Sequence, residues 1–392
     1  MNVLRIGIAG IGNIGSVHAV QLYENKVANA LLSAVCDIRE ERLSWAEKRF
    51  GSQVQRYADY HLMLESGNVD AVLIATPHKL HPVIAQDAFA QKLSVLTEKP
   101  AGIDVASVRQ MNKAAKESGK VFGIMYNQRT NPLYKTLHDM VKSNQLGEIK
   151  RFIWVINNWY RTQAYYDSGD WRATWNGEGG GVLINQCPHN LDIWQWIMGM
   201  PVRLRAFCIP GHYHRINVED DATIYAEYEN GATATFITST GEYPGTNHLE
   251  ISGTKGKAVI ENGVLKRYLL DRDERVLCFD SAEGMPKEIV HYSEVKPVDE
   301  GTAHLGILQN FTDAVLKNCD LIAPGEEGIN GLMLSNAAYL STWKDSWVML
   351  PLDGREFADW LGRKQREEQT AERISVPEKL SEQYTDRWSV RW

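Results

Sequence analysis

The chain has 392 residues, 44% of them hydrophobic and 23% charged, which is typical of a globular protein with a large core, and this length predicts two domains. A net charge of −7 without any Lys/Arg-rich block argues against nucleic acid or an anionic membrane surface as a partner. The five cysteines are scattered, and neither a signal-peptide pattern nor an apolar run of about 18 residues occurs. We therefore expect a cytoplasmic protein without disulfides, a metal site or a membrane span.

The first predicted strand, residues 3–8, leads directly into a glycine-rich turn that reads Gly10-Ile11-Gly12-Asn13-Ile14-Gly15. An amphipathic run follows, and then a second apolar strand. This context is typical of dinucleotide-binding folds: the first glycine permits the tight turn, the second lets the backbone approach a pyrophosphate, and the third lets the helix pack on the strand. N–H groups at the start of the helix also favour phosphate. We expect the dinucleotide phosphates to bind at Gly10, Gly12, Asn13 and Ile14.

The second strand ends on Asp37, which lies 22 residues after Gly15. A carboxylate at this point can accept hydrogen bonds from both hydroxyls of the adenosine ribose, and it repels a 2′-phosphate. Arg39 follows two residues later and is able to receive that phosphate. We predict that Asp37 and Arg39 both contact the cofactor and that the cofactor is NAD in preference to NADP.

Up to residue 125, predicted strands alternate with predicted helices. Strands are predicted at residues 3–8, 32–36, 71–75, 94–97 and 121–124, and helices between them include residues 40–50, 82–90 and 105–118. Such alternation indicates an α/β fold with a doubly wound parallel sheet. Residues 1–125 are therefore predicted to form a Rossmann domain.

Two polar motifs follow the third and fourth predicted strands: Ala75-Thr76-Pro77-His78-Lys79-Leu80-His81 and Thr97-Glu98-Lys99-Pro100. In an open α/β sheet, the carboxyl ends of the strands line the ligand crevice. We therefore predict cofactor contacts from Thr76, His78, His81, Glu98 and Lys99. For His81 the alternative is that it begins the next helix and packs there.

From about residue 147 the predicted strands become longer and alternate in polarity. They cover residues 150–158, 203–208, 221–228, 233–240, 247–253 and 257–261, and helices are predicted at residues 182–198, 302–317 and 325–344. This pattern, with a hairpin turn at Asn230-Gly231, indicates an open, mostly antiparallel sheet. Residues 126–362 are predicted to form this second domain, for substrate binding and oligomerisation. Residues 363–392 are predicted to be a charged, solvated tail, and its final tryptophans leave open an arm onto a neighbouring subunit.

A third motif, Gly179-Gly180-Gly181-Val182-Leu183-Ile184-Asn185-Gln186-Cys187-Pro188-His189-Asn190-Leu191-Asp192, lies in the second predicted domain. On a helix, Asn185 and His189 would face the same way. In this order, the glycine-rich turn, the Glu98-Lys99-Pro100 motif and the helical histidine resemble the Gfo/Idh/MocA family of nicotinamide-dependent oxidoreductases. The resemblance implies a Rossmann domain followed by an α/β domain with an open antiparallel sheet. It also implies a sugar, cyclitol or related polyol as substrate, and a homodimer, homotetramer or larger assembly.

The same resemblance implies catalytic roles for Lys99 and His189. Oxidation of a secondary alcohol releases a proton, which a histidine with a pKa near 6.5 can accept near neutral pH. Lys99 can stabilise developing alkoxide charge or act as an acid in the reverse direction. Many family members carry aspartate where this chain has Asn185, which can position substrate or imidazole but supplies no charge. We therefore expect Lys99 to carry more of the proton transfer. Asp192 is another group able to orient His189, with helix capping or packing as the alternative.

Substrate contacts are predicted at the domain junction and in a tryptophan-rich region. The segment after the last Rossmann strand supplies Asn127 and Arg129, for which a hinge role is the alternative. Six of the 12 tryptophans lie between residues 154 and 196. Aromatic rings suit the apolar face of a sugar, although they also fill cores. The predicted substrate wall, which Asn185 and His189 complete, consists of Trp159, Tyr160, Trp171, Arg172 and Trp175.

Together these patterns predict an NAD-dependent dehydrogenase that transfers hydride between NAD and a hydroxyl or carbonyl of a sugar, glycoside or cyclitol. Two alternatives stay open. Tightly bound NAD could support redox-neutral glycoside cleavage or elimination, or the chain could be a non-catalytic NAD-binding sensor.

Overall fold

The computed structural model describes residues 3–169, 171–299 and 301–370. The first domain contains six strands: β1 (Leu4–Ala9), β2 (Ala30–Cys36), β3 (Gln55–Tyr57), β4 (Ala71–Ile74), β5 (Ser94–Thr97) and β6 (Phe122–Ile124). They form one parallel sheet in the spatial order β3-β2-β1-β4-β5-β6. The chain order reverses between β1 and β4, which is where open α/β sheets bind ligands. The predicted doubly wound sheet is confirmed.

Helices connect these strands: α1 (Asn13–Tyr23), α2 (Glu40–Phe50), α3 (Tyr60–Glu65), α4 (His81–Ala90) and α5 (Val105–Ser118). The ends of α5 follow from local chemistry. Asp104 caps its N-terminus by accepting a hydrogen bond from the Ser107 N–H, and Gly119 takes a positive φ of 67° after its last residue. The bounds of α2 and α5 agree with the prediction. Strand β3 and helix α3 were not predicted, because three and six residues are too few to show a periodicity.

The second domain is built on a nine-stranded sheet within the described residues. Its strands are β7 (Ile149–Ile156), β8 (Arg203–Pro210), β9 (Glu219–Glu227), β10 (Thr233–Ser239), β11 (Asn247–Gly253), β12 (Gly256–Glu261), β13 (Val264–Leu270), β14 (Val290–Val295) and β15 (Val348–Met349). The spatial order is β14-β13-β12-β11-β7-β10-β9-β8-β15. Neighbours pair antiparallel except β7 and β10, which are parallel. This confirms the predicted open, mostly antiparallel sheet.

The helices of this domain are α6 (Pro132–Lys142), α7 (Gln163–Tyr166), α8 (Val182–Asn185), α9 (Pro188–Met198), α10 (Glu274–Asp280), α11 (Ala303–Lys317), α12 (Gly328–Lys344) and α13 (Gly354–Thr370). Helix α12 packs on β8 and α9, and α6 packs on α9. Alternate residues of β8, β9 and β10 are buried. One layer of the domain core thus comes from the sheet and the other from these helices.

The prediction of one continuous helix over residues 182–198 is wrong. Helix α8 ends at Asn185, and α9 begins at Pro188, which occupies its first turn. Proline has no backbone N–H and cannot continue the hydrogen-bond ladder of a preceding helix. Asn185 therefore ends one short helix and His189 starts the next, so they do not share one helical face.

Within the described residues, α13 runs through the predicted start of the charged tail at residue 363 and continues to Thr370. The carboxylate of Glu368 accepts hydrogen bonds from the backbone N–H groups of Trp175 (2.9 Å) and Asn176 (3.0 Å). This carboxylate therefore attaches α13 to the loop before the glycine triplet. Residues 371–392, including the two final tryptophans, lie outside the described residues.

The two domains are joined by buried hydrogen bonds. The Ile124 N–H at the end of β6 donates to the carbonyl of Ala323 (3.1 Å), and Asn336 of α12 bonds the backbone of Ile103 and Val105. The predicted division near residue 125 falls directly after β6. In the described part of the chain, no helix has both the length and the apolar character needed to cross a membrane.

Candidate active site

The glycine-rich turn lies between β1 and α1, at the reversal point of the first sheet. Gly10 has a φ of +87°, and a Cβ atom there would lie 2.7 Å from the carbonyl oxygen of Ala75. A Cβ atom at Gly15 would lie 2.0 Å from the Gly10 carbonyl oxygen, whereas a Cβ atom at Gly12 would have no described atom within 4 Å apart from its chain neighbours. The turn is therefore closed where strand and helix must meet and open at Gly12, next to the start of α1 at Asn13 and Ile14. This shape fits a pyrophosphate.

Asp37 comes directly after β2 and faces this turn. One carboxylate oxygen accepts the Ile11 N–H at 3.0 Å, and the other accepts the Arg39 N–H at 3.0 Å. The Arg39 guanidinium, half exposed, lies 3.7 Å from the same carboxylate. Asp37 thus sits at the glycine turn as predicted, and Arg39 stays close enough to compensate part of its charge.

The motif after β4 contains a buried hydroxyl without a hydrogen-bond partner among the described residues and a histidine whose two ring nitrogens both face carbonyl oxygens. The Thr76 hydroxyl is buried without a hydrogen-bond partner among the described residues, which suits a ligand atom. His81 is buried at the start of α4, with its two ring nitrogens 2.8 Å from the carbonyl oxygens of Pro100 and Thr76. His81 therefore holds two loops together, and the prediction that it contacts the cofactor is not supported. It follows the alternative, a packed residue at the start of a helix.

His78 links the two domains across the cleft. It lies in a short 3₁₀ helix (His78–Leu80), and its Nδ1–H donates to the backbone carbonyl of Glu178 at 3.2 Å. Burial, assisted by the charges of His81 and Lys99, lowers the pKa of His78 to about 3. At neutral pH the ring is uncharged and bridges the first domain to the loop before the glycine triplet.

Lys99 reaches from the end of β5 into the second domain. Its Nζ donates to the backbone carbonyl of Asn185 at 3.1 Å. Burial lowers the pKa of Lys99, and the carboxylates of Glu98 and Glu178 act in the opposite direction. The structure thus brings Lys99 and Asn185 together, as the motifs predicted, although they lie 86 residues apart.

Glu98 is buried below Lys99 and paired with a histidine of α1 that the sequence analysis did not single out. Its carboxylate lies 2.8 Å from Nε2 of His18 and also accepts the Lys99 N–H at 3.1 Å. Burial opposes ionisation of Glu98, but the hydrogen bond and the charge of His18 outweigh it and lower the pKa to about 2. Glu98 therefore holds a fixed negative charge beside Lys99.

His189 lies in the first turn of α9 with a free imidazole. Neither ring nitrogen makes a hydrogen bond with the described residues, and Nδ1 is buried. Burial, together with the positive charge of Lys99, holds the pKa of His189 well below its usual value. The ring is therefore neutral at pH 7 and able to accept a proton, close enough to Lys99 to sense its charge.

Asp192 does not orient His189, because it pairs with Arg129. The Arg129 guanidinium donates two hydrogen bonds to the Asp192 carboxylate, at 2.6 and 2.9 Å, and both side chains are buried. A third contact reaches Glu327 at 2.6 Å. The prediction that Arg129 binds substrate is therefore not supported. With its guanidinium buried and bonded to Asp192, Glu327 and the Ile322 carbonyl, this arginine joins α9 to the start of α12.

Asn127 is placed as predicted, at the junction of the domains. It begins a 3₁₀ helix (Asn127–Thr130) after β6, and its buried Oδ1 has no partner among the described residues. Its amide nitrogen lies 3.5 Å from Nδ1 of His304, whose ring in turn packs edge-on at 5.5 Å against His18. His304 carries no sequence signal, because it reaches the site from α11, far along the chain.

Part of the predicted aromatic wall lines the cleft. Trp171 is 40% exposed, with its ring centroid 6.3 Å from that of His78. The Arg172 guanidinium lies over the rings of Trp171 and Tyr165, at 4.6 and 4.7 Å, and donates to the Tyr165 hydroxyl at 3.1 Å. Tyr160 is 44% exposed and lies four residues after the end of β7. Tyr165 was missed because it lies in a short helix without a recognisable motif.

Two tryptophans of that wall are buried instead. Trp175 packs against Tyr339 and Trp343, and its Nε1–H donates to the Asn217 carbonyl at 3.0 Å. It lies behind the glycine triplet, so the prediction that it contacts substrate is not supported. Trp159 is 5% exposed and contributes to the core. For Trp159 and Trp175, the alternative interpretation that aromatic residues fill a core agrees with the structure.

The residue that sequence reasoning most clearly missed is Glu178. Its buried carboxylate accepts the Ala173 N–H at 2.7 Å and a short hydrogen bond from the side-chain amide of Asn185, and it lies 3.7 Å from the Arg172 guanidinium. Burial raises the pKa of Glu178 to about 7. The available signal was an acidic residue directly before three glycines.

Two family models match this arrangement. The model described as an oxidoreductase family with an NAD-binding Rossmann fold matches residues 4–126, and the GFO/IDH/MocA C-terminal domain model matches residues 134–259. Together they cover more than half of the chain. The chain belongs to the Gfo/Idh/MocA oxidoreductase family.

Relatives of known name span most of this Gfo/Idh/MocA chain. Myo-inositol 2-dehydrogenase of Thermotoga maritima is 24% identical over 340 residues, which are 86% of this chain and 95% of that protein. The rhizopine catabolism protein MocA of Rhizobium meliloti is 30% identical over 200 residues, 51% of this chain and 58% of that protein. Among solved structures, the WlbA dehydrogenase from Bordetella pertussis in complex with NADH and UDP-GlcNAcA has 25% identity and a TM-score of 0.75, over 90% of this chain and all of that one.

Proposed function

We propose that this oxidoreductase is a dehydrogenase that transfers hydride between NAD and a secondary hydroxyl or carbonyl of a sugar, glycoside or cyclitol. The observation that supports this proposal is a buried His189 imidazole near enough to Lys99 for its pKa to be lowered by that charge, with Nδ1 unpartnered among the described residues. The name of the inositol dehydrogenase relative and the ligands of the WlbA structure support the same substrate class.

The glycine turn, Asp37 and the unpartnered Thr76 hydroxyl would hold the dinucleotide. When bound, NAD supplies the hydride acceptor in oxidation. Asp37 would accept hydrogen bonds from the adenosine ribose, and its charge would disfavour a 2′-phosphate. Arg39 at 3.7 Å offsets part of that repulsion. NAD is therefore the proposed cofactor, and the selectivity against NADP rests on this one carboxylate.

His189 would take the hydroxyl proton when the alcohol is oxidised. Its imidazole is neutral at pH 7 because burial and Lys99 hold its pKa low, and its nitrogens are not consumed by the described residues. As the proton moves to the imidazole, the C–O bond gains double-bond character and the hydride leaves carbon. General base assistance of this kind contributes about 10²- to 10⁴-fold to a rate.

Lys99 would stabilise the negative charge that develops on the same oxygen. Its bond to the Asn185 carbonyl uses one of three ammonium hydrogens and fixes the direction of the other two. A donor positioned in this way costs no reorganisation when the charge appears. In reduction, the protonated His189 would return the proton to the oxygen, while the Lys99 ammonium stabilises the negative charge on it.

Trp171, Arg172 and Tyr160 would form the outer wall of the substrate pocket. A half-exposed indole presents an apolar face of the kind that packs on a sugar ring. Arg172 offers hydrogen-bond donors while its position is fixed by two aromatic rings. Asn127, with its buried carbonyl oxygen unpartnered, would accept a hydroxyl hydrogen from the opposite side.

The test is NADH formation, followed by absorbance, with NAD or NADP and a panel of inositols, sugars and glycosides. Lys99→Met and His189→Gln should each lower kcat at least about 100-fold while NAD still binds. Lys113→Met, which removes an exposed lysine on α5 with only a 3.8 Å surface ion pair, is the matched control and should retain full activity.

The other outcomes refute the proposal in distinct ways. Product formation without NADH, with NAD released only on denaturation, would assign redox-neutral glycoside cleavage or elimination. NAD binding without turnover of any compound would support the sensor hypothesis. Absence of nucleotide binding would contradict all three functions.

A further inference from the structure

Glu178 is a buried carboxylate with no role in the functions assigned above. It is 2% exposed and directly precedes the glycine triplet. Moving a carboxylate out of water costs several kcal/mol unless its charge is paired and hydrogen-bonded. The burial of this carboxylate at the edge of a cleft therefore indicates a role beyond folding the loop.

The loop itself is already held by other bonds. The Glu178 N–H donates to the Thr174 carbonyl at 3.0 Å, the Gly179 N–H donates to the same carbonyl at 3.1 Å, and the Thr174 hydroxyl accepts the Gly177 N–H at 2.8 Å. The Glu178 carboxylate adds one loop contact, to the Ala173 N–H. Its second oxygen points instead to Asn185, whose backbone carbonyl holds Lys99.

Asn185 depends on Glu178 for its orientation. An amide side chain can present either its oxygen or its nitrogen to a neighbour, and an ionised carboxylate accepts only from the nitrogen. With Nδ2 donating to Glu178, the Asn185 Oδ1 is the end of the amide turned away from the carboxylate and remains an acceptor. The carboxylate thereby sets which end of the amide a substrate hydroxyl meets.

We propose that Glu178 is a positioning residue for proton transfer, which supplies the negative charge that Asn185 lacks and fixes the Asn185 amide with its oxygen free to accept from the substrate. This inference rests on the proposed function. In this arrangement the carboxylate of the site belongs to Glu178, which is hydrogen-bonded to Asn185, and not to residue 185 itself.

The charges around Glu178 make its ionisation sensitive to pH. Burial raises its pKa to about 7, while Arg172, Lys99 and the amide of Asn185 favour the ionised form. His78 contacts only its backbone carbonyl and stays neutral. Below pH 7 the negative charge is lost, so kcat/KM should decline on the acidic side of neutrality, well above the pH at which His189 protonates.

The experiment compares Glu178→Gln with the exchanged double variant Glu178→Gln/Asn185→Asp. The single variant should lower kcat between about 10-fold and 100-fold with KM changed less than about threefold, because it removes charge and orientation but no substrate contact. In this variant the decline of kcat/KM below about pH 7 should disappear. The double variant returns a carboxylate to the same pair and should recover at least about tenfold of the lost kcat.

Glu219→Gln is the matched control. Glu219 is another buried carboxylate whose pKa burial raises to about 7, but it accepts from the Gly181 and Leu183 N–H groups and the Tyr339 hydroxyl, behind the triplet. Its replacement should lower the melting temperature and leave the pH profile of kcat/KM unchanged. This separates loss of a buried carboxylate from loss of the one beside Asn185.

Retention of the wild-type kcat and acidic limb in Glu178→Gln would overturn the proposal. So would a double variant no better than the single one, since a merely structural glutamate would not be rescued by moving the charge. Failure of the proposed function looks different: the wild-type protein itself would then show no NAD-dependent turnover with any compound of the panel.

Discussion

The buried ion pair between Arg129 and Asp192 allows a sharp test of how the second domain is held together. Arg129→Met keeps the length of the aliphatic chain and removes the guanidinium. Asp192 would then remain buried, with Gln195 at 2.9 Å as its remaining side-chain partner. The carboxylate is fully enclosed in the folded protein, so it would have to take up a proton or persist as an uncompensated charge.

The geometry sets the size of the effect. Two hydrogen bonds at 2.6 and 2.9 Å join side chains that are 1% and 0% exposed, and breaking such a pair by removing one partner costs about 3 to 5 kcal/mol. The further contact of Arg129 to Glu327 adds little, at most about 1 kcal/mol, because Glu327 is 40% exposed. We expect the free energy of unfolding to fall by about 3 to 5 kcal/mol.

Urea unfolding followed by tryptophan fluorescence measures this change. Asp192→Asn and the double variant Arg129→Met/Asp192→Asn complete a double-mutant cycle, and the double variant should cost less than the sum of the single ones, because no charge is then left buried. Since the buried Arg129 guanidinium is bonded to Asp192, Glu327 and the Ile322 carbonyl, KM of the folded variant should change less than about threefold. A loss below about 1 kcal/mol, or a tenfold rise in KM at unchanged stability, would refute this account of Arg129.

Two further predictions concern single carboxylates. Asp37→Ser removes the negative charge beside the ribose site while Arg39 stays, so the preference for NAD should fall by about 100-fold, as measured by kcat/KM with NAD and NADP; an unchanged ratio would show that selectivity lies elsewhere. Glu219 has a folded-state pKa of about 7, above its unfolded value near 4.5, so its stabilising contribution is complete below pH 4.5 and is lost as pH rises through 7. Relative to the wild-type protein, Glu219→Gln should therefore gain about 2 to 3 kcal/mol between pH 5 and pH 8, and a difference independent of pH would contradict the burial argument.

Local signals predicted the cofactor half of the molecule well. The glycine turn, Asp37 and the bounds of α2 and α5 depend on neighbours within a few residues, such as a positive φ at Gly10 or a cap at Asp104. The alternation of buried strands with helices likewise predicted the first sheet, and strands of alternating polarity predicted the second, because a half-buried strand repeats its polarity every second residue. The break between α8 and α9 was also encoded locally, by Pro188, and was overlooked.

Contacts between residues that are distant in the sequence could not be predicted in the same way. Trp171 and Trp175 are four residues apart with similar neighbours, yet one is exposed at the cleft and the other is packed under α12 and α13. Arg129 and Asp192 are 63 residues apart, and either could have faced a substrate. Which side of a loop faces solvent is decided only when distant elements pack on the other.

The sequence by itself therefore determined the kind of protein: a Rossmann domain with a dinucleotide turn and the Glu98-Lys99-Pro100 motif, followed by an open-sheet domain with the helical His189. Only the tertiary structure decided how the charges there are arranged. Asn185 lacks the carboxylate expected at its position, and Glu178 places one beside it through a short hydrogen bond. The physical reason is that glycine turns and strand patterns arise from backbone conformation within a few residues, whereas a buried charge depends on every group that the fold brings around it.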